Sequence, residues 1–313
     1  MAAARRTPED PLLERGPALS AVRAALDAAA GGTGAVLLLS GTAGVGKTSL
    51  LDAARAESAA RGTAVLSAAC SPLEQSYSFG AVRQLLRPGD DVAAGGLLAA
   101  VPSGGADAFA VLEALHASLV RRAACGPLAV LVDDVHWCDE PSLRWLAFVV
   151  RRLGDLPVAL MLTTRPVDAD SQALAALLAS PAVRRVDLAP LSGPASARLL
   201  RRRAGVEVDD ALAVQCHAAT GGNPFYLGVL AQAVRELGRE GLSRVLVEHR
   251  GVLPAGVRRG ILDRLTASGS DSVAVARAAC VLGPDADPST VAAVTGLSPP
   301  RVSDGVRAAG RAP

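Results

Sequence analysis

Gly41-Thr42-Ala43-Gly44-Val45-Gly46-Lys47-Thr48 decides the reading of this chain. The spacing is G-x-x-x-x-G-K-T, the pattern of a phosphate-binding loop. Lys47 is the only lysine in the sequence, so every other basic residue is arginine. With 31 Gly in 313 residues, one lysine would meet its three fixed neighbours by chance roughly once in a thousand. A compact ammonium fits inside a phosphate cradle where a planar guanidinium does not, which accounts for the one lysine kept. Upstream, the continuous apolar run 35–39 suits a buried parallel strand, and downstream residues 49–60 read as a helix. Strand, glycine loop and helix is the context in which backbone N–H groups and a helix N-terminus face phosphate oxygens. Residues Gly41, Thr42, Ala43, Gly44, Val45, Gly46, Lys47, Thr48 and Ser49 are therefore the expected contacts to ATP or ADP. Lys47 is expected to reach the β- and γ-phosphates, and the Thr48 hydroxyl to ligate Mg²⁺.

A second motif supplies the carboxylates. Leu128-Ala129-Val130-Leu131-Val132-Asp133-Asp134 is an apolar strand that ends in two acids. Asp133 is expected to hold Mg²⁺ and Asp134 to orient or deprotonate the attacking water. A further apolar run at 63–69 lies between the two motifs, which favours the additional-strand class of P-loop NTPase, an α/β fold with a parallel sheet flanked by helices. After the acids, residues 141–152 read as an amphipathic helix and 157–162 as a buried strand running into Thr163-Thr164-Arg165-Pro166. Arg165 is the candidate for the polar group that senses the γ-phosphate from the neighbouring strand. A fifth strand is expected at 185–189. His136, Cys138 and Asp139 are too closely spaced to surround one metal ion, so Asp139 reads as a helix cap. His116 reads as a core histidine.

Composition narrows the partners. Lys+Arg 32 against Asp+Glu 30 leaves a net charge of +2, too even for non-specific binding to nucleic acid or membrane. Half of the residues are apolar and the mean hydropathy is +0.32, yet no apolar run reaches the roughly 18 residues of a membrane span. No secretory leader is visible at the start, so the expected compartment is the cytoplasm. The five cysteines are scattered without a C-x-x-C pair and read as small core residues.

Past the fifth strand the pattern turns helical, over 194–203, 209–218 and 224–238, and the glycine- and alanine-rich stretch 88–106 reads as a surface loop. The run Arg201-Arg202-Arg203 falls in a last helical turn, where cations complement the dipole. Near the end, 288–295 and 299–309 flank Gly296 as a helix-turn-helix. The expected organisation is a P-loop core over 1–190, a helical lid over 191–250 and a partial winged helix over 251–313.

Taken together, Leu13-Glu14-Arg15, Gly41 to Ser49, Val132-Asp133-Asp134-Val135-His136-Trp137 with Asp139, Thr163-Thr164-Arg165-Pro166 and Thr220-Gly221-Gly222-Asn223-Pro224 resemble the ATPase module of the large ATP-binding LuxR-family regulators. These regulators are part of the STAND group of signal-transduction ATPases. The resemblance implies a Mg²⁺-dependent, slowly hydrolysing ATP switch, with Pro224 packing on adenine and Arg15 near the base. It also implies an effector or partner protein or a homo-oligomer. Gly16-Pro17-Ala18 departs from the polar, acidic stretch usual after the Glu-Arg. Such regulators continue into sensor repeats and a DNA-binding domain, so the chain is expected to be a fragment or a truncated form. Two other readings stay open: a non-hydrolysing nucleotide-binding module, and a DNA-binding regulator acting through the last helices. Zero net charge over 284–313 argues against direct DNA contact. A small-molecule phosphotransferase is weaker still, with no acceptor signature in view.

Overall fold

The computed structural model describes residues 12–86, 108–166, 171–248, 269–282 and 287–311. They divide into two compact units, one formed by 12–41 and 46–189, the other by 42–45 and the residues from 190 onward.

The first unit is built on five parallel strands: β1 Ala35–Ser40, β2 Ala64–Ala69, β3 Leu128–Asp133, β4 Val158–Thr164 and β5 Val183–Asp187. Their order in the sheet is β2-β3-β4-β1-β5. The described helices α1 Gly16–Ala30, α2 Lys47–Ala60, α3 Gly80–Leu85, α4 Ala108–Ala123, α5 Glu140–Val150 and α6 Gln172–Leu178 supply the crossovers and cover. β4 is buried along its whole length and β3 up to its last residue, the signature of central strands covered on both faces. Leu160, Leu162, Val130, Val132, Leu146 and Trp145 lie in one core cluster, and each fully buried side chain of this size is worth about 1.5–3 kcal/mol.

The additional-strand class holds, with one change in how it arises. The strand inserted between β1 and β3 is β4, and the 64–69 strand sits at the edge beyond β3. Strand ends also move. β4 runs two residues further than its apolar run, taking in Thr163 and Thr164, and β5 starts two residues before the expected 185. Both threonines are β-branched, which suits a strand, and their hydroxyls find partners there.

The second unit is helical: α7 Gly193–Ala204, α8 Asp210–Thr220 and α9 Pro224–Glu248 pack on one another. Ser192 and Asp209 cap the first two through Ala195 N–H and Leu212 N–H. Gly238 interrupts α9 with φ 71°, at the position where the sequence pattern ends the helix. Arg201 donates to Val208 O at 2.9 Å and pairs with Asp210, so the arginine run is a helix end as expected. Beyond, α10 Ser270–Leu282, α11 Pro288–Thr295 and α12 Pro299–Arg311 enclose a small cluster of Val275, Ala278, Val291 and Val302. Among the described residues no strand accompanies these three helices. The expected loop at 88–106 and the boundary at 250/251 lie outside the described residues. No described helix is long and apolar enough to cross a membrane. Of the cysteines, Cys138 and Cys216 are buried as expected, whereas Cys125 is exposed.

Candidate functional site

Parallel pairing brings three strand ends into one row. Ser40 stands opposite Thr164, Leu39 opposite Thr163, and Val132 opposite Leu162. The glycine loop, Asp133-Asp134 and Thr163-Thr164 therefore emerge together at the carboxyl edge of the sheet, where ligands of open α/β sheets bind.

The loop itself is shaped by glycine. Gly44 has φ 78° and Gly46 φ 106°, backbone conformations that side chains disfavour. A Cβ at Gly44 would also lie 2.7 Å from Asn223 Oδ1 and 2.9 Å from Phe225 Cβ. Asn223 is buried; its Nδ2 donates to Ala43 O at 2.9 Å, its Oδ1 accepts from Phe225 N–H, and that N–H also reaches Gly44 O at 3.3 Å. Residues 42–45 are thereby held within the helical unit by Asn223 and Phe225, which flank Pro224, the first residue of α9. At the other end of the loop Gly41 N–H donates to Thr164 O, and Lys47, buried in the first turn of α2, donates from Nζ to Gly41 O at 2.8 Å.

Four polar groups are linked in a chain beside the loop. Thr48 Oγ1 donates to Asp133 Oδ2 at 2.7 Å, and Thr163 Oγ1 donates to Asp133 Oδ1 at 2.5 Å. The same Thr163 oxygen accepts from Asp134 N–H at 2.7 Å. Asp134 takes up a left-handed conformation, φ 51°, uncommon for a residue with a side chain. Its backbone is pinned at both ends, since its carbonyl accepts from Trp137 N–H at 2.8 Å. The sequence reading missed Thr163 because it ended the strand at 162 and looked to Arg165 for the polar group.

Arg165 follows directly on β4 and is half-buried. It lies close enough to His136 that its charge, with that of Lys47, adds to burial in driving the imidazole pKa down to about 3. His136 is thus neutral, and its 3.9 Å separation from Asp134 Oδ1 is not an ion pair. Asp139 caps α5 through Ser142 N–H at 3.0 Å and also accepts from Phe79 N–H at 2.7 Å and Ala81 N–H at 3.3 Å. With its carboxylate so engaged, it belongs to the scaffold beneath the site. His116 packs edge-on against Phe148, ring centres 5.7 Å apart. Arg15 is buried and donates to Ala189 O at 2.8 Å and Glu14 O at 3.1 Å. Burial lowers its pKa. It ties the start of α1 to the chain just beyond β5.

The donor set suits Mg²⁺. Thr48 and Asp133 offer hard oxygens 2.7 Å apart, and Mg²⁺ is commonly held by one or two such protein ligands with phosphate and water completing its shell. Among the described residues, no group of three or more His, Cys, Asp or Glu is arranged to hold a metal ion.

Comparison with known proteins agrees with the fold. An uncharacterized protein of Rhizobium meliloti (strain 1021) is 30% identical over 192 residues, covering 50% of this chain but only 19% of that protein. Among solved structures, Aeropyrum pernix Orc1 in complex with DNA superposes with a TM-score of 0.55 at 17% identity, covering 96% of this chain and 84% of that one. A point variant of Thermotoga maritima RuvB does so at 0.50 and 16%, covering 91% and 83%. Residues 11–162 match the AAA ATPase domain family, and the fold is that of the α/β P-loop ATPases.

Proposed function

We propose that this chain is a Mg²⁺-dependent ATPase of low turnover, serving as the nucleotide-operated switch of a LuxR-type transcriptional regulator of the STAND group. The observation that carries the catalytic part is the linked chain Thr48–Asp133–Thr163–Asp134 beside the glycine loop. Residues 41–49 would cradle the phosphates by backbone N–H groups, and Lys47 would exchange its bond to Gly41 O for the β- and γ-phosphate oxygens. Mg²⁺, held by Thr48 and Asp133, would neutralise charge on the phosphate oxygens. Asp134 would accept a proton from the attacking water as its oxygen bonds to the γ-phosphorus and the bond to the bridging oxygen breaks, releasing ADP. Arg165 would offer a cation to the γ-phosphate, and Pro224 and Arg15 would border the base.

The helices over 191–250 would act as lid, with 251–313 a partial winged helix and a partner protein or second copy reading the bound state. We place the protein in the cytoplasm, with no direct contact to DNA from this chain. The deciding measurement is phosphate release beside ATP binding. Asp134→Asn should keep Mg·ATP affinity and lower turnover by about 10²- to 10⁴-fold, because the amide preserves shape and loses basicity. Undiminished turnover in that variant would remove Asp134 from the chemistry.

A further inference from the structure

Outside the groups already given roles, one side chain stands out. His136 sits in the short 3₁₀ turn Val135–Trp137, between left-handed Asp134 and the cap Asp139. Its side chain is 4% exposed, and neither Nδ1 nor Nε2 has a hydrogen-bond partner. Burying an imidazole with both nitrogens unbonded costs about 1–3 kcal/mol, so packing alone gives no reason for histidine here. The ring is held against Trp137, centroids 5.0 Å apart, and the turn is anchored by fully buried Val135. Its Nδ1 lies 3.9 Å from Asp134 Oδ1.

We propose that His136 is a positioning residue for hydrolysis: its Nδ1–H donates to Asp134 Oδ1 in the ATP-bound state and so turns the other carboxylate oxygen toward the attacking water. The inference rests on the ATPase reading above. A shortening of about 1 Å makes the bond. The Asp134 backbone is pinned by Thr163 and Trp137, so the carboxylate turns about its side-chain bonds, and a donor at Oδ1 favours one of its orientations. A neutral imidazole suits this part, for it donates without taking the proton that Asp134 must accept. Burial first, and then the charges of Arg165 and Lys47, keep it neutral. Residues flanking the site thus serve phosphate binding and the state of the base together.

The test is single-turnover hydrolysis with protein in excess over labelled ATP, read beside ATP affinity, for His136→Phe, His136→Asn and His136→Gln, each alone and with Asp134→Asn. An Asn amide nitrogen takes the place of Nδ1, and a Gln nitrogen that of Nε2. His136→Phe and His136→Gln should slow the chemical step about 10- to 100-fold with ATP affinity unchanged within about twofold, and His136→Asn should recover most of the loss. In the Asp134→Asn background none of the three should slow it further. A loss equal in both backgrounds, an Asn variant as slow as Phe, or a loss confined to ATP affinity would each overturn the assignment. Nitrogen-15 spectra supply a readout independent of turnover. The chain has 4 histidines, and the His136 signal should report the Nδ1–H tautomer with Mg and a non-hydrolysable ATP analogue, shifting in Asp134→Asn. An Nε2–H tautomer indifferent to that change would overturn the bond. A wild type that releases no phosphate removes the hydrolysis reading, and the nitrogen spectrum then decides the His136–Asp134 bond by itself.

Discussion

At the scale of single residues, Thr163 shows how much one hydroxyl can carry. It donates to the Asp133 carboxylate and accepts from Asp134 N–H, so one oxygen holds the metal-side acid and the left-handed backbone of the proposed base. Thr163→Val keeps volume and β-branching but leaves both partners short of a bond in a fully buried place. The expected cost is about 1–3 kcal/mol of stability, seen as a lower urea midpoint at unchanged slope. His136 gives a pH dependence with a definite sign. Its folded pKa is pushed down to about 3, against about 6.5 for an unfolded histidine. Between those values the unfolded chain binds a proton that the native site refuses, so stability falls as pH drops from 6.5 toward 3, by at most about 1.4 kcal/mol per pH unit. His136→Asn should flatten that acid limb. Urea titrations of both proteins from pH 7 to 4 would check it, parallel curves refuting the assignment.

At the scale of elements, the turn after β3 and helix α5 depend on Asp139. Its carboxylate caps α5 and satisfies Phe79 N–H and Ala81 N–H at the start of α3. Phe79 is itself left-handed at φ 57°, and Val82 N–H is satisfied by Ser142 Oγ at 3.3 Å. One acid therefore joins two helices that the sequence separates by some sixty positions. Removing a cap alone costs about 1 kcal/mol, and two further buried N–H groups bring the expected loss for Asp139→Ala to about 3 kcal/mol. Asp139→Asn, which keeps an acceptor oxygen, should lose less. Thermal unfolding followed by the emission of buried Trp145 would rank the three proteins, and equal loss in Ala and Asn would show that charge matters more than the bonds.

At the scale of the molecule, stability should be uneven. The sheet unit is knit by a large continuous cluster of leucines, valines and Trp145. Among the described residues, the last three helices enclose a small cluster of Val275, Ala278, Val291 and Val302 with Leu282, Ala292 and Leu297 partly buried against it, tied further by two hydrogen bonds from Arg301 to Asp271 at 2.8 and 2.9 Å. So small an apolar cluster leaves little to resist local opening. Amide exchange should therefore be fast over 270–311 and slow over β1, β3 and β4, and ADP should slow the C-terminal helices if they respond to the proposed nucleotide site. Protection over 270–311 equal to that of the central strands, with or without ADP, would point instead to a self-sufficient C-terminal fold.

The sequence by itself determined the glycine loop and its lysine, the two acids after an apolar strand, the parallel α/β class and most helix limits. Each of these is local: it depends on spacing, apolar runs and caps within a dozen residues. Only the tertiary structure decided that β4 lies between the two motif strands, because strand order depends on how crossovers pack. It also decided that Thr163 holds both acids, that Asn223 fastens Ala43 across 180 positions of chain, and that His136 is buried against Asp134. The sequence places those residues inside motifs but does not say what each one bonds to, since threonine, asparagine and histidine can serve many partners. Their meaning comes from partners that only the folded chain brings within a hydrogen bond's length.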